Sequence, residues 1–192
     1  MWIIDQVDVN MKPLGVPYFR DESEGHSYEN LRENPSAIDQ LPELRDSSAL
    51  YDFVKEINSR ASIFQTFGCE KWQRSWSHQQ FPDFPVRSGS YIDIAFADVN
   101  RCRSQAPLWK LIADYRVYGP KCLAYDTVQV NFEIRASVHF QWGNWWTLQF
   151  WNFGIGRTEN EADKWWTEGM CCFKTFLLEQ SITVTNLKQE SK

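Results

Sequence analysis

Val128 to Trp142 reads V-Q-V-N-F-E-I-R-A-S-V-H-F-Q-W, apolar and polar side chains in turn without a break. A β-strand sends successive side chains to opposite faces, so a strand buries one half of this run and leaves the other half polar. Gly143-Asn144 reads as a turn, and Trp145 to Ile155 as the returning strand. The pattern also constrains the pairing. A plain two-residue turn would put Val138 opposite Gln149, mixing apolar with polar on both faces. A bulge or three-residue loop at Gly143–Trp145 instead sets Phe140 against Leu148, Val138 against Phe150 and His139 against Gln149. That register is the expectation.

The remaining elements follow from period and punctuation. Leu50, Phe53, Val54 and Ile57 give the i, i+3, i+4, i+7 stripe of a helix near residues 48–59, with Asp46 or Ser47 as its cap. Residues 62–67 read as a short strand, 68–89 as an irregular segment holding Trp72 and Trp76, and 91–99 as a strand apolar on both faces. Pro107 opens a helical turn to Ile112, and a strand over 114–118 ends at Gly119-Pro120. Thr158-Glu-Asn-Glu161 has capping-box spacing and starts a long helix. Its inner face is Ala162, Trp166, Gly169, Met170, Phe173, Phe176 and Leu177, with Gly169 allowing close approach to the sheet. A short strand is expected at Ile182–Val184. The fold class is therefore α+β: an antiparallel sheet of five or six strands, a long C-terminal helix across one face, and a second helix near 48–59. The chain reads as a single domain over 1–192, with an acidic irregular arm (1–45) opening on a strand at Trp2–Val7. A globular body (46–185) and a frayed tail (186–192) follow. The order helix, strands, long final helix resembles that of helix-grip ligand-binding folds. No motif accompanies the resemblance, so it implies no activity.

Charge and cysteines remove several classes. Residues 1–45 hold nine acids and four bases, which is the whole of the net charge of −5. No basic stripe of the kind nucleic-acid binding needs is present, so no nucleic acid is expected. Met1-Trp-Ile-Ile runs straight into Asp5 and Asp8, which is neither a leader nor a membrane span, so no membrane association is expected. Cys69, Cys102, Cys122, Cys171 and Cys172 are odd in number and lack CxxC spacing. They read as free thiols of a cytoplasmic protein. Cys171 and Cys172 diverge on the helix and do not suit a vicinal disulfide. His26, His78 and His139 have no ligand spacing, and no phosphate loop or nucleophile elbow is found, so no metal or cofactor is expected.

What remains is a surface. The polar half of the long strand presents Asn131, Glu133, Arg135, Ser137 and His139, and the returning strand adds Thr147, Gln149 and Trp151 on the same side. A large aromatic on such a face marks a contact surface. Glu133, Arg135, His139, Gln149 and Trp151 are thus the candidate binding residues, and no catalytic residue is assigned. The function expected is non-catalytic: a cytoplasmic binding or regulatory protein, of the inhibitor or immunity-protein kind, that docks another macromolecule, a basic protein being the partner the acidic charge suggests. The alternative is a small-molecule or enzymatic pocket between the sheet and the C-terminal helix.

Overall fold

The computed structural model describes residues 2–8, 14–15, 30–75, 82–123, 127–139 and 143–190, with backbone alone at 2–8, 14–15, 138–139 and 184–190. In chain order the elements are β1 (Trp2–Asp8), β2 (Leu14–Gly15), α1 (Ser48–Ile57), β3 (Phe64–Ser75), β4 (Val86–Phe96), α2 (Ala106–Cys122), β5 (Val128–His139), β6 (Gly143–Gly156) and α3 (Glu159–Glu190). The architecture is α+β. Four strands form an antiparallel sheet in the order β5-β6-β4-β3. The antiparallel sheet of five or six strands is thereby corrected to four. β1 and β2 do join it, but parallel to β5, making the whole mixed. Ser137 pairs with Leu14 on one side and Trp145 on the other, so β2 continues the line of β1 along one edge. β3 is the strand at the opposite end.

The hairpin register differs from expectation. Leu148 lies opposite Ile134, Phe150 opposite Phe132 and Gln149 opposite Glu133, each six positions earlier in β5 than the pattern proposed. No bulge interrupts this pair. The irregularity lies in β3, between Thr66 and Gly68. A shift by an even number leaves every side chain on its original face, because the side-chain period is two. Alternation therefore settles the face and is blind to the shift. Phe140, Gln141 and Trp142 lie outside the described residues.

Val128, Val130, Phe132 and Ile134 form one wall of the core, continued by Leu148, Phe150, Ile92 and Ile94. All three α-helices cover this wall. Phe173 of α3 stacks on Phe150 with ring centroids 3.8 Å apart. Phe53 of α1 reaches the Phe173 ring at 6.1 Å. Tyr115 of α2, fully buried, meets Phe132, Phe173 and Phe176 edge-on at 5.1 to 5.5 Å. Where β6 passes beneath the start of α3, it does so as glycine. A Cβ at Gly154 would fall on the main chain of Ala162 and Trp166, and one at Gly156 on Ala162. Gly169 makes the matching concession on the helix: a Cβ there would meet Asn152 and, at 2.9 Å, Val128. The room lets Asn152 Nδ2 donate to the main-chain oxygen of Trp166 at 2.7 Å, and Trp166 Nε1 donates to Ser90 Oγ at 2.9 Å.

The start of α3 matches its signature in part. Thr158 Oγ1 accepts from the Glu161 N–H at 3.2 Å, while the Glu161 carboxylate takes the Arg157 N–H at 2.8 Å rather than the cap's own. The expected strand at Ile182–Val184 is corrected: these residues continue the helix. Two further corrections concern the middle of the chain. Residues 68–89 are not irregular throughout, since β3 extends to Ser75 and β4 begins at Val86. The stretch read as a strand over 114–118 is the second half of α2. Leu108, Leu111, Ile112, Tyr115 and Gly119 give it one buried stripe, and Pro120 lies within its last turn. Within the acidic arm, residues 35–40 and 42–44 form short 3-10 turns that place Ala37, Ile38 and Leu44 in the core beside α1.

Candidate functional site

The sheet face turned away from α3 carries the side chains singled out from the sequence. Glu133 and Gln149 are direct cross-strand partners, and Arg135 lies one step further along β5 on the same side. Arg135 Nη1 donates to Gln149 Oε1 at 3.0 Å, and its Nε lies 3.5 Å from Glu133 Oε1. Gln149 is buried, and Arg135 and Glu133 are 14% and 19% exposed. Beyond them Ser137 and Thr147 share a hydrogen bond of 2.9 Å out of solvent. The polar side chains of β5 and β6 thus spend much of their capacity on one another. The Arg135 guanidinium draws the Glu133 carboxylate and the Gln149 amide together on one surface.

Trp151 lies opposite Asn131 on β5 and Tyr91 on β4. It is the hub of an aromatic group: Trp72 edge-on at 5.8 Å, Tyr91 tilted at 5.4 Å and Phe153 stacked at 6.2 Å. Trp72 and Phe153 also meet directly, at 6.2 Å. Gly89 leaves the space these rings share, since a Cβ there would press on Trp72 and Phe153 at 2.8 to 2.9 Å. Arg87 lies over the Phe153 ring, its guanidinium carbon 3.5 Å from the ring centre and its Nη2 donating to Gln129 at 3.2 Å. Burial, and Arg74 directly across the strand pair, lower its pKa to about 10, so it stays a cation at neutral pH. Two polar atoms in this group, Trp72 Nε1 and Asn131 Oδ1, are closed off from solvent with no hydrogen-bond partner among the described residues.

Of the five candidates, Glu133, Arg135, Gln149 and Trp151 are neighbours on one surface. His139 is not drawn to them. It closes β5 opposite Gly143, six residues and so about 20 Å along the strand from Glu133, and its side chain lies outside the described residues. Trp72, Tyr91, Arg87 and Phe153 were missed. Trp72 was hidden because Glu70 to Ser75 alternate without apolar contrast: Lys71 and Gln73 face α3, yet are polar.

The thiols offer no nucleophile on this face. Burial pushes Cys102 up to about 11 and Cys172 up to about 12, while Cys69, half-buried and desolvated beside Glu43 and Asp93, is also raised to about 12. All three are protonated at neutral pH and correspondingly unreactive. Cys171 is exposed and Cys172 buried, as the divergence of neighbours on a helix requires. Among the described residues, no group of His, Cys, Asp and Glu is arranged to hold a metal ion. None of their helices is long and apolar enough to cross a membrane.

A second feature lies at the β3 end of the sheet. A cleft of about 340 Å³ is lined by Asp46, Lys71, Trp72, Gln73, Glu159, Asn160 and Asp163. Lys71 is paired with Asp163 and lies 4.1 Å over the Trp166 ring. Gln73 Nε2 donates to the main-chain oxygen of Glu159 at 3.0 Å and to Ser88 Oγ at 2.9 Å, tying strand to helix at the cleft floor.

Comparison of the chain with protein-family models, with curated proteins and with solved structures gives no significant match.

Proposed function

We propose that this is a non-catalytic binding protein that docks a protein partner through the sheet face centred on Trp151. The observation that carries the reading is the aromatic group of half-buried Trp72, Tyr91 and Trp151 around buried Phe153, flanked by Arg87 and by the Arg135–Glu133–Gln149 network. Large rings beside fixed charged groups are the composition of binding hot spots. The alternative pocket is less well supported, since the 3.8 Å stack of Phe150 on Phe173 and the glycine contacts of β6 fill the space beneath α3. The acid excess of residues 1–45 favours a basic partner. Exposed thiols at Cys122 and Cys171 favour a reducing compartment, the cytoplasm.

The test is affinity capture from the native host with wild-type protein, Trp151→Ala and Arg135→Ala, each variant first checked for an unchanged unfolding midpoint. A protein retained by the wild type and lost by both variants is the expected result. Retention unaffected by either change, or co-purification of a metabolite with no protein, would overturn the reading.

A further inference from the structure

The first half of β3's outer edge is closed. Arg32 Nη1 donates to the carbonyls of Ser62 and Phe64 at 3.0 and 2.9 Å, and Asn58 Oδ1 takes the Thr66 N–H at 3.1 Å. From Glu70 to Ser75 the strand pairs with β4 on one side, and among the described residues nothing bonds its other side. In an antiparallel pair every second residue turns both its N–H and its C=O outward, so this stretch presents a row of unmet main-chain groups.

The cleft lies along that row. Lys71 and Gln73 send their side chains toward α3 and Trp72 sends its own to the opposite face. A space lined by all three consecutive residues therefore meets the strand at its backbone edge rather than on either face. Its other bank is acidic. Asp46 and Glu159 are exposed and have no ion pair among the described residues, whereas the one cation, Lys71, is already held by Asp163. The bank is fixed in place by the bonds of Gln73 to Glu159 and Ser88.

We propose that the Glu70–Ser75 edge accepts an added β-strand from a basic segment of a partner protein, with a lysine or arginine of that segment between Asp46 and Glu159. Main-chain pairing supplies the binding, and the alternate side chain entering the cleft supplies the choice of partner. The inference is argued from the edge and the cleft; Trp72, which lines the cleft, is the one residue it shares with the Trp151 group.

The test uses fluorescein-labelled synthetic peptides, titrated into the full chain and read by anisotropy at low salt. One alternates lysine with threonine and valine, one carries glutamate in place of lysine, and one is the lysine peptide N-methylated at every second residue. The lysine peptide is expected to bind at least about tenfold more tightly than either other, a difference of about 1.4 kcal/mol. Combined Asp46→Asn and Glu159→Gln should weaken it by about fivefold or more, through loss of the charge-assisted contacts. Arg135→Ala, on the Trp151 face but away from the cleft lining, should leave it unchanged. Equal binding of the lysine and glutamate peptides, equal binding after N-methylation, indifference to the double substitution, or loss in Arg135→Ala would each overturn the proposal.

Discussion

Gly154 and Gly143 are both glycines of β6, and they are glycine for different reasons. Gly143 has φ +68°, the left-handed region, with nothing within 4 Å of a built Cβ. Gly154 has ordinary strand geometry, but a Cβ there would collide with the α3 main chain, which cannot rotate away as a side chain would. Gly143→Ala should therefore cost about 1–2 kcal/mol, the penalty of the left-handed conformation. Gly154→Ala should cost about 3 kcal/mol or more, since the helix itself must lift. Urea midpoints of the two variants check this, and similar costs would show that α3 is less tightly seated. From the sequence, Gly169 was read correctly as a close-approach residue because it interrupts an apolar helical stripe. Gly154-Ile-Gly156 read only as a hairpin exit, since nothing in a strand's own pattern says what will cross it.

The thiols carry a prediction at the same scale. In the unfolded chain a thiol ionises near pH 8.5. In the fold Cys69, Cys102 and Cys172 are raised to about 12, 11 and 12. A raised pKa means that their contribution to stability is whole below pH 8.5 and is lost as the pH climbs toward the folded values. Each adds a slope of about 1.4 kcal/mol per pH unit in that window. Denaturant unfolding between pH 8 and 11 should fall less steeply for Cys172→Ala than for wild type, and parallel curves would count against the burial of that thiol.

At the scale of elements, one side chain holds a corner together. Arg32 Nη1 donates to three carbonyls, those of Ser59, Ser62 and Phe64, at 2.9 to 3.0 Å, where α1 turns into β3. Arg32→Ala should cost about 2–4 kcal/mol, because it leaves carbonyls without a donor. Arg32→Lys should recover part of that, and thermal unfolding of the pair checks both. This anchor lies inside the acidic arm and could not be read there, since its partners are main-chain atoms. Helix α1 was legible because Leu50, Phe53, Val54 and Ile57 repeat at 3.6. Helix α2 was not. Val117 and Tyr118 favour strands, Gly119-Pro120 looks like a terminator, and the buried stripe from Leu108 through Tyr115 wins only because α3 and the sheet are there to receive it. Strand β3 failed for the opposite reason, since both its faces are partly polar. For the candidate site, the pattern named the correct face of β5 and β6 and could not name the strand beside them, where Trp72 completes the aromatic group.

For the molecule as a whole, the two surfaces described differ in what they would ask of a partner. The Trp151 face offers rings and a settled polar network, so a change there should act on how long a complex lasts. The β3 edge offers main-chain groups and two carboxylates, so its contribution should fade as salt is raised.

The mixed sheet has a consequence for the order of events in assembly. β1 has no neighbour until β5 exists, because Trp2 through Asp8 pair with Gln129 through Arg135. During synthesis from the N-terminus, Trp2, Ile3 and Ile4 leave the ribosome long before the strand they need. The hairpin of β5 and β6 and its cover by α3 are local in sequence and can form first, whereas β1 must close the longest loop in the fold. Until it does, β5 has an unpaired edge carrying Val128, Val130, Phe132 and Ile134, which makes late docking of β1 the step most open to misassembly.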